Sequence, residues 1–260
     1  MKRNYRELVF IFAVIILTLA GCLNLKIPSK IIRTTDDTVI KKANSFFPIE
    51  SFVIMNQEFV LTTTCPDDTG CSPVILNTFS SAGSGVIVKS GEDMTYVLTA
   101  GHICVPSQGK MVSTLNSSTD VDVKYMIKLT TGFGRESTGE IIAVDVDNDL
   151  CLLKADKYLG PSLSVSKQDP MLHEEVYNMA NPAALASSLA VPVFKGYYVG
   201  NISMLSIYSV PAVGGSSGSP IMNKDNEIIS IISAAAIRFD EYAIGPRTEK
   251  VREFLLANLP

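Results

Sequence analysis

Three stretches of this 260-residue chain bring together side chains suited to attacking an acyl carbon. Gly214-Gly215-Ser216-Ser217-Gly218-Ser219-Pro220 sets serine hydroxyls among glycines and runs straight into the apolar Ile221-Met222. Glycine admits positive φ and lets another chain come close to main-chain N–H groups, the geometry that a developing oxyanion needs. Tyr96-Val97-Leu98-Thr99-Ala100-Gly101-His102 is a β-rich run ending on one of only two histidines. An imidazole there could take and return a proton near neutral pH. Asp147-Asn148-Asp149-Leu150-Cys151-Leu152-Leu153 places acids at the mouth of an apolar strand. One such carboxylate could hold the imidazole in a single tautomer. Each stretch alone has a plainer reading. A Gly/Ser cluster is usually a loop, a strand-end histidine is more often structural, and Asp145, Asp147 and Asp149 compete as turn caps. Asp149 is favoured because it adjoins the apolar run, whereas residue types alone leave Ser216, Ser217 and Ser219 open as nucleophiles.

These stretches lie within a β-rich pattern. Short runs of Val, Ile, Tyr and Thr, punctuated by Gly, Pro, Asn, Asp and Ser, occur at 52–63, 74–78, 85–89, 96–99, 121–129, 140–144 and 150–154. A second set follows at 175–179, 193–201, 205–210, 220–222, 227–233 and 242–244. Two groups of about six strands predict an all-β chain of two tandem six-stranded antiparallel β-barrels, since closing each sheet removes its exposed edges. Val251, Phe254 and Leu255 at helical spacing predict a C-terminal helix, with Thr248 as N-cap. The predicted division is a signal peptide at 1–21, a tether at 22–48, an N-terminal barrel at 49–156, and a C-terminal barrel with closing helix at 157–260.

The start of the chain carries Lys2, Arg3 and Arg6 before an apolar run from Leu8 to Ala20. That run is shorter than the ~20 residues of a membrane-spanning helix, so it reads as an export signal. Leu19-Ala20-Gly21-Cys22 resembles the lipobox of bacterial lipoproteins. The resemblance implies lipid on Cys22 and a protein anchored to a membrane, facing the periplasm or cell exterior. Export permits disulfides, and the four remaining cysteines allow three connectivities. Cys65 and Cys71 flank Pro-Asp-Asp-Thr-Gly, a turn-forming stretch suited to a local bridge, which leaves Cys104 and Cys151 as a pair. A net charge of −4 without a basic patch argues against nucleic-acid partners. Two distant histidines and paired cysteines make no metal cluster, and no cofactor is expected. His173, in the polar Leu172-His173-Glu174-Glu175, is expected on the surface.

Leu-Thr-Ala-Gly-His, Asp-Asn-Asp-Leu-Cys-Leu-Leu and Gly-Ser-Ser-Gly-Ser-Pro, in that order, resemble the three catalytic blocks of the trypsin/chymotrypsin superfamily. Gly83-Ser84-Gly85-Val86-Ile87-Val88 is similar to the strand leading into the histidine block. The resemblance covers roughly residues 50–246. It implies a serine endopeptidase acting on peptide or protein substrates, with Ser217 as nucleophile, His102 as base and Asp149 as orienting acid. Ser217 is selected because the family's nucleophile precedes Gly-x-Pro; the amides of Gly215 and Ser217 would then form the oxyanion hole. Ser216 stands where relatives often carry Asn, Ser219 replaces a common glycine, and Ile103-Cys104 follows the histidine where relatives have Cys at once. A Cys104–Cys151 bridge also fits, each cysteine lying two residues beyond a triad member. Before Phe52 there is no Ile-Val-Gly-Gly activation motif, a trait closer to bacterial glutamyl and Deg-type proteases. The position that selects Lys or Arg in trypsin-like members is Pro211, which disfavours a basic substrate side chain. Ser233, Ala234 and Ala235 lie in a segment resembling the strand that pairs with substrate backbone. The rival reading is a protease-fold binding protein without turnover.

Overall fold

The computed structural model describes residues 47–63, 75–105, 121–188, 190–236 and 239–260. The expected signal peptide and tether up to residue 46, with Cys22, and also Cys65 and Cys71, lie outside the described residues. After a short 3-10 turn, Ile49–Ser51, six strands follow: β1 (Phe52–Thr63), β2 (Ile75–Ser90), β3 (Thr95–Ala100), β4 (Val121–Thr131), β5 (Glu136–Asp145) and β6 (Leu150–Ala155). They close into an antiparallel barrel in the order β1-β2-β3-β6-β5-β4. A single helical turn, α1 (Gly101–Cys104), leaves the end of β3.

The runs at 74–78 and 85–89, expected as separate strands, are one continuous strand. β2 pairs with β1 from Phe52↔Val86 to Thr62↔Ile75. The glycines at 83 and 85 do not turn the chain; they admit neighbours. A Cβ on Gly85 would stand 2.8 Å from Val97 Cγ1, and one on Gly83 3.0 Å from Ile103 Cδ1.

β5 shows the alternating exposure of a strand with one wet face, whereas β3 is buried along its whole length and β6 nearly so. Helix α2 (Thr248–Asn258) packs Val251, Phe254 and Leu255 into the cluster that holds Leu98, Leu152 and Leu153, joined by Ile228 and Ile231 of the second half. Each such side chain contributes about 1.5–3 kcal/mol on burial. The helix therefore clamps both halves together and does not merely close the second. Thr248 is its first residue and not its cap: Arg247 holds the cap position, and the buried Thr248 hydroxyl donates to the Ile229 carbonyl at 2.7 Å.

The second half is a curled sheet of seven strands: β7 (Glu175–Met179), β8 (Val193–Ile202), β9 (Leu205–Tyr208), β10 (Pro220–Met222), β11 (Ile228–Ile231), β12 (Ala234–Ala236) and β13 (Phe239–Pro246). Their order is β11-β10-β7-β8-β9-β13-β12. Six were expected, and the extra strand has a simple origin. β11 and β12 are halves of one run bent at Ile232–Ser233. The Ile232 N–H donates toward the β10 side, to Ser219 O, and the Ser233 N–H donates to Ile244 O of β13. One bent run thus supplies both ends of the sheet and curls it on itself. Val176, Tyr208, Ile221, Ile229 and Ala243 fill its interior, where burial pushes the Tyr208 phenol above its ordinary range. Tyr197 and Tyr198 fall on opposite faces, one exposed and one buried, as strand alternation requires. His173, at φ 64, sits exposed in the turn before β7.

Candidate active site

The pairing of β3 with β6 brings the histidine and acid segments together. Thr99 lies opposite Cys151 and Ala100 opposite Leu150, so the chain that continues into α1 rises beside the turn entering β6. Gly101 makes this approach possible: a Cβ there would be 3.1 Å from both the Asp149 carbonyl carbon and the Leu150 nitrogen. The His102 main-chain N–H donates to Asp149 Oδ1 at 2.7 Å, while His102 Nδ1 lies 2.9 Å from Oδ2 and 3.0 Å from Oδ1. Asp149 itself has φ 53, a left-handed conformation uncommon for a residue with a side chain.

The competing acids are accounted for in the same turn. The Asp145 carboxylate accepts from the Asn148 main-chain N–H at 3.0 Å and from its side-chain amide at 2.7 Å. Asp147 is exposed. Asp145 thus shapes the turn that delivers Asp149. The Asp149 side chain keeps 26% of its surface exposed and the imidazole 46%, so the acid lies deeper and the ring opens outward. Cys104 is bonded to Cys151, tying the end of α1 to β6 across 47 residues.

The serine stretch folds as a tight loop between β9 and β10. Ser216 N–H donates to Val213 O at 2.9 Å, and Ser219 N–H to Ser216 O at 3.0 Å. Two positive φ angles, +92 at Gly215 and +81 at Gly218, shape it. Side chains are excluded at both: a Cβ on Gly215 would be 2.2 Å from Asn181 O, and one on Gly218 2.2 Å from Ser84 O and Thr99 Oγ1. Gly218 therefore rests on the end of β3, a few residues before His102. Of the three serines, Ser216 is 1% exposed and Ser219 fully buried, its Oγ accepting from the Asn178 amide at 2.9 Å. Ser217 alone among them lines an open groove.

Ser84 uses every polar group it has, two of them on this loop. Its N–H donates to Ser217 O at 2.8 Å, and its carbonyl accepts from Thr99 Oγ1 at 2.8 Å. Its hydroxyl donates to Gly215 O at 2.9 Å and accepts from Asn181 N–H at 3.0 Å. Further back, Ala183 N–H donates to Gly214 O at 2.7 Å. In a trans peptide the N–H opposes the C=O, so this bond turns the Gly215 N–H away from Ala183. The Ser219 bond to Ser216 O does the same for the Ser217 N–H. Among the described residues, neither amide donates to another group of the chain.

The groove beside Ser217 has a volume of about 410 Å³, with Ala212, Val213 and Gly214 on one wall and Ile232, Ala234 and Ala235 on another. Asp240 of β13 completes it. Ala234 and Ala235 thus border the same groove as Ser217. Pro211 and Ser233 do not line the groove; Pro211 is exposed, and the Ser233 hydroxyl is buried without a hydrogen-bond partner among the described residues. Sequence reasoning missed Ser84 as an anchor, although Gly83-Ser84-Gly85 stood out as a motif. It missed Asp240 altogether, because a carboxylate 23 residues after Ser217 carries no spacing signal.

Residues 83–231, more than half of the chain, match the model of the trypsin-like peptidase domain. No curated protein matches the sequence. The crystal structure of the serine endoprotease from Yersinia pestis superposes with a TM-score of 0.56 at 17% identity, over 84% of this chain and 65% of that one. The chain thus spans just under two thirds of that endoprotease's length, and the likeness shows a shared chymotrypsin-like fold. The matched span holds the histidine, acid and serine segments, and on this ground the chain belongs to the trypsin-like peptidase domain family.

Proposed function

We propose that this protein is an exported serine endopeptidase, hydrolysing peptide bonds with Ser217, His102 and Asp149. The observation that carries the reading is the convergence on one strand end: Asp149 accepts from His102 at the tip of β3, and the Ser217 loop packs through Gly218 onto the same tip. In the proposed reaction the Ser217 hydroxyl oxygen attacks the scissile carbonyl carbon while His102 accepts its proton. The tetrahedral oxyanion receives the N–H groups of Gly215 and Ser217, a contribution of about 3 kcal/mol per donor in comparable sites. Collapse expels the amine, which takes the proton from His102, and leaves an acyl-serine. Water then repeats the sequence: His102 removes its proton, the acyl–oxygen bond breaks, and Ser217 is restored. Asp149 stabilises the imidazolium throughout.

Substrate backbone would pair with β12. Among the described residues that strand is bonded to β13 on one side only, and its Ala234 and Ala235 border the groove. The leader supports delivery outside the cytoplasm, with lipid on Cys22 as the anchor. Among the described residues no helix is long and apolar enough to cross a membrane.

A fluorophosphonate probe tests the chemistry. Wild-type protein is expected to be labelled at Ser217 and to cleave a peptide mixture, and Ser217→Ala to do neither. A folded wild type that resists the probe would support the rival reading, a binding protein on a protease fold. Mass spectrometry of the mature N-terminus is expected to find diacylglycerol on Cys22; an intact Met1 would remove the lipid anchor.

A further inference from the structure

The outer end of the β8–β9 hairpin is built inside out. In the middle of the hairpin Tyr198 and Tyr208 pair on the buried face. A bulge at Val199 then shifts the register by one residue, so that Gly200 lies opposite Ile207, Asn201 opposite Ser206 and Ile202 opposite Leu205. A one-residue slip exchanges the two faces of a strand. A polar side chain now points inward: Ser206 is buried, and its hydroxyl donates to Asn201 Oδ1 at 2.8 Å. Apolar ones point outward, Ile202 with 63% of its surface exposed and Leu205 exposed beside it. Met204 in the turn and Leu172 are exposed as well, and a Cβ on Gly200 would stand 3.6 Å from Leu172 Cδ1. No charge interrupts the hairpin, for none occurs between Lys195 and Lys224. Local rules are broken in this way where a surface has a use beyond folding.

We propose that this hairpin end inserts into the interfacial layer of a lipid bilayer, a second membrane contact besides the lipid on Cys22. The inference rests on the exported, membrane-anchored reading and adds to it the surface that meets the membrane. β7 pairs with β8 only as far as Glu175 and Tyr197, so the apolar residues sit on a tip that extends past this neighbour and not in a groove. A tip enters a fluid layer without needing a matching surface, and its apolar area leaves water. Behind the turn Arg247 donates to Ser203 O, which sets a guanidinium at the depth of lipid phosphates. The chain that leads to Cys22 departs from the same pair of strands. Phe47, the first described residue, packs on Tyr177 of β7 with ring centroids 5.2 Å apart. Tyr177 lies opposite Lys195, roughly 23 Å along β8 from Ile202. Residues 23–46 span up to about 80 Å when extended, so lipid on Cys22 and the tip can reach one surface. An orientation follows. The Ser217 loop lies at the other end of the sheet, where Gly215 meets Asn181 just past the Met179–Val193 pair. Ser217 is thereby held a strand length, about 30 Å, from the bilayer.

The chain contains no tryptophan, so one placed at the tip reports alone. Full-chain Met204→Trp is reconstituted into phosphatidylcholine vesicles with and without brominated acyl chains. Tyr158→Trp, at an exposed site in the first half, is the control. Emission of Met204→Trp is expected to shift to the blue and to be quenched by bromine, and that of Tyr158→Trp to do neither. Adding Ile202→Ser and Leu205→Ser is expected to lower the inserted fraction by about tenfold or more, since two side chains no longer gain by leaving water. Both are exposed, so the fold does not depend on them, and cleavage of a soluble peptide should be unchanged. Quenching of Met204→Trp no greater than that of Tyr158→Trp, or quenching that survives the two serines, would overturn the proposal. So would a blue shift without lipid that grows with protein concentration, which would assign the tip to a second copy of the chain. Lipid found on Cys22 by mass spectrometry in protein whose tip is not quenched defeats the tip and leaves the anchor standing. Quenching by added vesicles when Cys22 is unmodified supports the tip and defeats the lipid anchor; absence of both defeats both.

Discussion

His102 and Asp149 are presented by a closed barrel, on strands joined rung by rung and bridged by a disulfide, whereas Ser217 is presented by a loop with neither support. The proposed acid–base half takes its geometry from ladder register: Ala100 faces Leu150, and the imidazole and carboxylate carried just beyond them lie 2.9 Å apart. The proposed nucleophile half is assembled from glycine backbone at positive φ and from the hydrogen bonds of Ser84, Asn181 and Ala183. One half is fixed by covalent and strand constraints and the other by small residues that let segments of both halves of the molecule touch. Disturbing the two should therefore leave different signatures.

With Ser217 in place, Asp149→Asn should have the largest effect on turnover. The His102 main-chain N–H already donates to Oδ1 at 2.7 Å, so an asparagine would keep its oxygen there. Its NH₂ would then replace Oδ2, 2.9 Å from Nδ1, and donate to that nitrogen. The ring proton is driven to the far nitrogen, and the base is lost without disturbing the fold. A fall in kcat of about 10⁴-fold is expected, as in comparable triads, with KM little changed. Nitrogen NMR of the imidazole reads the tautomer directly; an unchanged tautomer with full activity would remove Asp149 from the mechanism.

Ser84→Ala probes the other half. It removes the donor to the part-buried Gly215 O and the acceptor for the buried Asn181 N–H, the latter left unpaired at a cost of about 1–3 kcal/mol. The loop carrying the Gly215 amide loosens, and kcat should fall by about 10–100-fold, less than the loss of an oxyanion donor outright. The signature is the contrast: the imidazole tautomer stays native while fluorophosphonate labelling of Ser217 slows. If the tautomer moved with it, the two halves would not be separately held.

The same contrast explains what the sequence disclosed. His102, Asp149 and the serine loop lie in contiguous motifs, each ambiguous by residue type alone and readable together because three blocks in order resemble those of one superfamily, and strand periodicity located nearly every element around them. Contacts made across long separations left no such mark. Ser84 reaches Asn181 and Gly215 because two halves of the molecule pack together, and Asp240 reaches the groove because of the Ala236↔Phe239 hairpin pairing. Glycines were legible as permissive but ambiguous in purpose: Gly83, between two runs expected as separate strands, and Gly85, at the start of the second, admit neighbours to one unbroken strand. Thr248 looked like a helix cap because its type and place were right, yet its hydroxyl serves the tertiary contact to Ile229.

The smallest effect on turnover is expected from the bridge. Replacing Cys104 and Cys151 together by Ser removes a crosslink spanning 47 residues, and loop-closure entropy assigns it about 4 kcal/mol. That loss should appear as a lower Tm and denaturant midpoint. Turnover below the new Tm should stay within about threefold, because strand pairing and the main-chain bond from His102 to Asp149 persist without the sulfurs. A large drop in kcat in the folded variant would mean that ladder register is insufficient. The acid–base half would then depend on its covalent tie as the serine loop depends on Ser84, and the distinction between the halves would fail.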